Sequence, residues 1–224
     1  MKSVRHRHDA SGSPSGTLWL ASRSPRRAEL LHEAGIQATI QPADIDDGEL
    51  RHGQVPPEWW VMALAYLKAR RVADTISESV RWQARDSLVL GADTICAVGR
   101  SVLGQPRDAD DARRMLRLMR GREHRTITGV CLLRTALKPD ACSLTPHWRF
   151  IVFDAAIVRI GDLSDAEIDD YIASGDWRGK AGAYNLAERI AAGWPISCMG
   201  DPTTVMGLPM QRLPGWIERV MQAS

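Results

Sequence analysis

Several features that would narrow the class of this chain are scarce or missing. Its 224 residues carry four cysteines, Cys96, Cys131, Cys142 and Cys198, far apart and with no C-x-x-C pair. That spacing excludes a disulfide scaffold, and the apolar runs around most of them point to reduced core thiols. No apolar stretch approaches the roughly 18 to 20 residues of a spanning helix, and the N-terminus lacks the apolar core of a signal peptide. A cytoplasmic protein with no membrane partner is expected. Charge of one sign is missing too: 29 basic against 27 acidic residues leave a net charge of +2. A dedicated duplex-DNA or membrane-surface binder needs a strong basic footprint, so no nucleic-acid partner is expected and any basic site must be local. Neither a G-x-G-x-x-G nor a G-x-S-x-G motif occurs, and the histidines show no zinc spacing. G-D-W-R-G-K-A is one residue short of a Walker loop between its glycines and has no Ser or Thr after the lysine.

What remains describes an ordinary folded chain, 44% hydrophobic and 25% charged. A chain of this size buries roughly 70% of its extended surface and needs no covalent staple. Residues 1–16 combine His, Arg, Ser, Gly and Pro with almost nothing apolar and read as a disordered leader. From Thr17 onward strand and helix patterns mix without a repeat or a clean linker, which suggests one α/β domain to the end of the chain. TLWLAS reads as a strand; Ser24 is placed to cap the helix that follows, with Pro25 at its first position and Gly35 at its end. After a second strand and an acidic turn, Pro57 opens a helix with Trp60, Leu64, Leu67 and Val72 roughly on one face. SLVLGADTICAVG is a strand apolar nearly throughout, with Asp93 read as closing its apolar part. Asp108 or Asp110 caps the next helix, two long strands follow, and Ser164 with Glu167 forms a capping box. The glycine-rich stretch after Gly175 is a functional loop or a linker, and a final helix is expected to be interrupted near Pro214.

Three clues carry chemistry. Arg23, Arg26 and Arg27 crowd the start of the first helix, where each cation costs a few tenths to about 1 kcal/mol unless an anion offsets it. A phosphate at the helix N-terminus is the natural partner; the alternative is an exposed cluster screened by water. Asp93 in G-A-D-T is too expensive to bury unless it is paired, metal-bound or catalytic. Asp46 and Asp47 are either an acidic turn or further oxygen ligands of the kind that suit magnesium or manganese carrying a polyphosphate. Only four lysines occur, and of these Lys68 and Lys180 fall in structured segments where a compact ammonium can reach a phosphate oxygen.

Taken in order, S-x-S-P-R-R, G-A-D-T, L-G-x-P, K-A-G-A-Y and G-L-P make the chain from Leu18 to about Val220 resemble the Maf family of nucleoside triphosphate pyrophosphatases. The resemblance implies an α/β fold with a mixed sheet, flanking helices and two lobes around a cleft, related to inosine triphosphate pyrophosphatases. It implies hydrolysis of a nucleoside triphosphate to the monophosphate and pyrophosphate, a divalent cation (Mg2+ or Mn2+) and a homodimer. By position, Asp93 and Lys68 match catalytic residues, and Asp47 and Asp93 match metal ligands. Ser22, Ser24, Arg26, Arg27, Thr94, Gln105 and Lys180 match substrate-binding positions.

The chain departs from the family pattern at telling places. Gln105 stands where members usually carry lysine, and Asp46-Asp47 and Asp176 shorten acidic side chains. Ala187 replaces the glutamine of members that prefer dTTP and UTP, although Thr94 resembles that branch and Asn185 or Glu188 is a candidate replacement for the amide. The leading expectation is a metal-dependent pyrophosphatase that removes surplus or modified nucleotides. A second reading is a catalytically weak nucleotide-binding protein that regulates cell division. The weakest, an arginine-based RNA binder, predicts a steep salt dependence that the charge balance does not favour.

Overall fold

The computed structural model describes residues 17–45, 53–79, 86–137 and 144–222. The leader, Asp46, Asp47 and Cys142 lie outside them. The elements run β1 (Thr17–Ala21), α1 (Pro25–Glu33), β2 (Thr39–Ile40), α2 (Pro57–Ser79), β3 (Asp86–Val98), β4 (Ser101–Leu103) and α3 (Ala109–Met119). They continue with β5 (Arg122–Leu137), β6 (Leu144–Ile160), α4 (Asp165–Ser174), a 3-10 turn at Ala181–Ala183, α5 (Leu186–Ala191), β7 (Ile196–Met199), α6 (Pro202–Met206) and α7 (Leu213–Gln222). The sheet is mixed, in the order β2-β1-β3-β5-β6-β7, with β4 added to β3. β1 runs parallel to β2 and β3, and the other pairs are antiparallel. This is the expected α/β class.

Local chemistry accounts for most helix ends. Asp108, rather than Asp110, caps α3 by accepting from the Asp111 amide at 2.7 Å. Ser164 and Glu167 close a reciprocal capping box on α4, which ends at the left-handed Gly175. Pro214 does not interrupt the last helix: it is the second residue of α7, where its missing N–H has no intrahelical acceptor to lose. Ser24 stands at the N-cap of α1 but makes no side-chain cap; its own amide donates to Ser22 Oγ at 3.1 Å.

Helix α2 lies on one face of the sheet, against β3, β5 and β6. Its buried stripe is Val61, Leu64, Ala65, Ala69, Val72, Ala73 and Ile76, at helical spacing. Leu67, expected on that stripe, is 44% exposed. The reason is closeness. A Cβ on Gly91 would stand 2.1 Å from the Ala65 carbonyl oxygen, and one on Gly129 would stand 2.4 Å from the Val61 backbone. The helix backbone rests directly on two glycines of the sheet, with Ala65 and Ala69 at Gly91 and Val61 at Gly129.

The opposite face holds two apolar clusters. One gathers Leu20, Leu30, Leu90, Val130, Leu208 and Leu213; the other gathers Val98, Met115, Met119, Val158, Ile160 and Tyr184. Cys96 and Cys131 are buried, unpaired thiols, and Cys198 is partly buried, as the apolar surroundings of these residues predicted. Burial pushes the Cys96 thiol up to about 11 and the Cys131 thiol up to about 12, which keeps both uncharged. Among the described residues no helix is long and apolar enough to cross a membrane.

Candidate active site

The sheet opens at one place. The ladder of β1 against β3 ends at Gly91, and the ladder of β4 begins at Cys96. β5 occupies the other edge of β3 along this whole length, so β1 and β4 share one edge. Residues Ala92–Ile95 therefore have no neighbouring strand on that edge among the described strands, and Asp93 and Thr94 stand in this opening. Asp93 is an interior residue of β3, not the end of its strand, because the chain continues the ladder with β5 as far as Ala97. A strand interior is a stiffer mount than a strand end.

A cleft of about 500 Å³ opens here between the two lobes, one carrying β1, β2 and the start of α1, the other the loops around Gln105 and Lys180. Its lining includes Ser22, Ser24, Arg26, Arg27, Lys68, Gln105 and Lys180, seven of the residues singled out in the sequence. Arg23, Arg178, Glu29, Asp44 and Glu188 line it as well. Six cationic side chains against three carboxylates make the cleft locally basic on a chain of net charge +2. The volume is that of a pocket for a ligand of nucleotide size.

Lys68 comes from the buried side of α2 and donates to Asp93 Oδ1 at 2.7 Å. Both side chains are mostly buried, at 16% and 11% exposure, so the pair sits where water screens it weakly. This settles one of the three options for Asp93: it is paired. Arg27 is also no screened surface residue. At 9% exposure its guanidinium donates from Nε to the Gly207 carbonyl at 2.9 Å, from Nη1 to Ser22 Oγ at 3.2 Å and from Nη2 to Thr94 Oγ1 at 3.0 Å. Gly207, in the G-L-P motif, has φ +115° and would place a Cβ 3.0 Å from Arg27 Nε. Only glycine offers both that backbone turn and that clearance. Thr94 is thus placed behind Arg27 and is not among the cleft-lining residues.

Arg26 and Lys180 converge on the far wall. Glu188 bonds Lys180 and lies 3.9 Å from Arg26, while Asn185 Nδ2 donates to its other oxygen at 2.8 Å. The Asn185 side-chain oxygen caps α5 by accepting from the Glu188 amide, so both ends of the Asn185 side-chain amide are bonded to Glu188. Arg178 is held by stacking over Trp177 at 4.7 Å and by a bond to the Gly175 carbonyl. The sequence reading singled out Arg23 with Arg26 and Arg27 but passed over Arg178, Asp44 and Glu29. Arg178 had a signal, its place two residues before Lys180; Glu29 and Asp44 had none, since only folding brings them to the cleft.

Residues 17–220 match the family model described as Maf-like protein. The chain belongs to the Maf family. It is 38% identical over 194 residues to a dTTP/UTP pyrophosphatase of Chelativorans sp. (strain BNC1), a match covering 86% of each chain. It is 39% identical over 194 residues to the dTTP/UTP pyrophosphatase of Rhizobium meliloti (strain 1021), covering 86% and 87%. The dTTP/UTP pyrophosphatase of Anaeromyxobacter dehalogenans (strain 2CP-1 / ATCC BAA-258) is 39% identical over 206 residues, covering 90% and 93%. Within this Maf-like chain S-x-S-P-R-R, the glutamine of L-G-x-P and the lysine of K-A-G-A-Y line one cleft, and G-A-D-T and G-L-P bond the lining residues Lys68 and Arg27.

Proposed function

We propose that this chain hydrolyses a nucleoside triphosphate, of the dTTP or UTP kind or a modified relative, to the monophosphate and pyrophosphate, and so clears surplus or non-standard nucleotides. The observation that carries this reading is Lys68, which lines a basic cleft of nucleotide size and is bonded there to Asp93, itself outside the cleft lining. The relatives named dTTP/UTP pyrophosphatases support the substrate class. Asp93 accepts a proton from a water molecule as the water oxygen bonds to the α-phosphorus; the bridging α–β P–O bond breaks and pyrophosphate leaves. Lys68 orients Asp93 through their hydrogen bond. Arg26, Arg27 and Lys180 neutralise the phosphate oxygens, where fixed cations in a site shielded from water stabilise developing charge. Gln105 adds a hydrogen bond without charge, and Ser22 and Ser24 shape the loop that receives the phosphates.

A divalent cation, Mg2+ or Mn2+, belongs to this proposal. Among the described residues no three His, Cys, Asp or Glu side chains cluster as metal ligands. Magnesium keeps several waters and binds through one or two carboxylates plus the substrate's phosphates. Asp93, with Asp47 as a second carboxylate, would hold it, and it would supply charge neutralisation on the polyphosphate.

The test is pyrophosphate release by the purified protein against standard and modified nucleoside triphosphates, with magnesium and with manganese, beside Asp93→Asn. Release that disappears in Asp93→Asn supports the reading and names the base; tight nucleotide binding without release selects the regulatory alternative instead.

A further inference from the structure

Thr94, Thr128 and Asp154 face one another in register on β3, β5 and β6 and form a polar row across an apolar sheet face. On one side lie Ala92, Val130 and Val152, and on the other Cys96, Thr126 and Ala156. The row runs between the two apolar clusters of this face. Thr128 and Thr204 are fully buried and Asp154 is 7% exposed, so each of these polar groups must be bonded or destabilise the fold. All are bonded, and the proton directions are fixed.

Thr204 donates its hydroxyl to Asp154 Oδ2 at 2.6 Å, and the other oxygen of Asp154 lies 3.1 Å from Arg212. Thr128 donates to the Thr204 carbonyl at 2.7 Å, because a carbonyl can only accept. The single proton of Thr128 is thereby used. In the 2.9 Å contact between Thr94 and Thr128 the donor is therefore Thr94, whose oxygen in turn accepts from Arg27 Nη2. Helix α6 stands at the centre of this arrangement. Its Thr204 carbonyl fixes Arg27 through two hydroxyls, and Gly207 just beyond it accepts Arg27 Nε directly. Five residues are too few for a helix to hold itself, so α6 depends on its anchors.

The geometry points to Asp154 as a positioning residue for Arg27: by holding Thr204 it seats α6, and α6 aims the guanidinium at the phosphate cleft. This rests on the proposed hydrolase reading for what the cleft binds. Asp154 never touches substrate, and it lies 127 positions along the chain from the residue it serves, by the numbering of the two residues.

The test compares Asp154→Asn, Thr204→Val and Thr204→Ser, the last keeping the hydroxyl, with Thr204→Val repeated in an Arg27→Lys background. Pyrophosphate affinity by calorimetry is measured beside KM and kcat. Thr204→Val and Asp154→Asn are expected to raise the pyrophosphate Kd and KM together by about tenfold with kcat falling less than about threefold, while Thr204→Ser stays within about twofold. In Arg27→Lys, Thr204→Val is expected to add less than about twofold, since Thr204 is argued to act through the placement of the guanidinium that Arg27→Lys already removes. Unchanged binding in a folded Thr204→Val, or an undiminished effect of it in the Arg27→Lys background, overturns the proposal. If Asp154→Asn does not fold, the Thr204 pair decides. A parent protein that binds pyrophosphate but hydrolyses nothing defeats the hydrolase reading alone, because Kd still judges Asp154; a parent that binds no pyrophosphate overturns both.

Discussion

Asp93 and Thr94 are consecutive residues of β3 and serve opposite faces of the sheet, Asp93 meeting Lys68 from α2 and Thr94 meeting Arg27 from α1. Strand alternation makes this automatic. The two faces communicate only where the neighbouring strand is missing, at the opening between β1 and β4. Lys68, bonded to Asp93, and Arg27 thus reach one cleft from two layers of the fold.

Replacing Asp93 by Asn keeps the shape and removes the proton acceptor. Turnover is expected to fall by at least about 100-fold, with the thermal unfolding temperature little changed. Pyrophosphate release and a melting curve on the same preparation check this, and near-normal turnover would remove Asp93 from the mechanism.

Gly91→Ala tests how α2 is mounted. The added methyl would lie 2.1 Å from the Ala65 carbonyl, a backbone atom that can retreat only if the helix lifts. Destabilisation of more than about 3 kcal/mol is expected in urea, with activity lost even where the chain folds, because Lys68 rides on that helix. A stability within about 1 kcal/mol of the parent would show that the helix has room to move.

Glu188 bonds Lys180 and approaches Arg26, so its carboxylate stands where a phosphate oxygen is expected. Glu188→Gln releases two cations to the ligand and is expected to lower KM for the triphosphate by about two- to tenfold, with little change in kcat. An increase in KM would mean that Glu188 orients Lys180 instead of competing for it.

His124 is 3% exposed, accepts or donates one bond with the Tyr184 hydroxyl at 2.8 Å and has a buried Nδ1 without a hydrogen-bond partner among the described residues. Burial pushes its imidazolium form down to about 4 from 6.5. The unfolded chain takes up a proton below about pH 6.5 and the native chain does not, so stability falls as pH drops from 6.5 toward 4 and levels off below. The loss is expected to reach about 3 kcal/mol at most, and His124→Gln should flatten that slope in urea titrations at several pH values. A slope identical in the variant would assign the acid sensitivity elsewhere.

Much of the molecule was legible from local chemistry. The Ser164 capping box, the cap at Asp108 and the two long strands β5 and β6 follow from residues only a few positions apart. Leu67 was misplaced on α2 because periodicity alone does not fix which face meets the sheet, whereas the close contacts at Gly91 and Gly129 turn Val61, Ala65 and Ala69 inward. Arg27 and Asp93 were legible as costly charges, since a cation at a helix start and a carboxylate in an apolar strand each call for a partner.

From sequence alone came most element types as far as Gly175, the family and the residues whose charge demanded an explanation, because those depend on short-range pattern and on composition; α5, β7 and α6 were not read. Which partner each charge takes was decided by the tertiary structure alone. Lys68 finds Asp93 across 25 positions, Arg27 finds Gly207 across 180, and Asp154 finds Thr204 across 50. Such pairs are fixed by sheet order, strand register and the close seating of α2, which arise from burying one shared core and leave no mark in any local stretch of the chain.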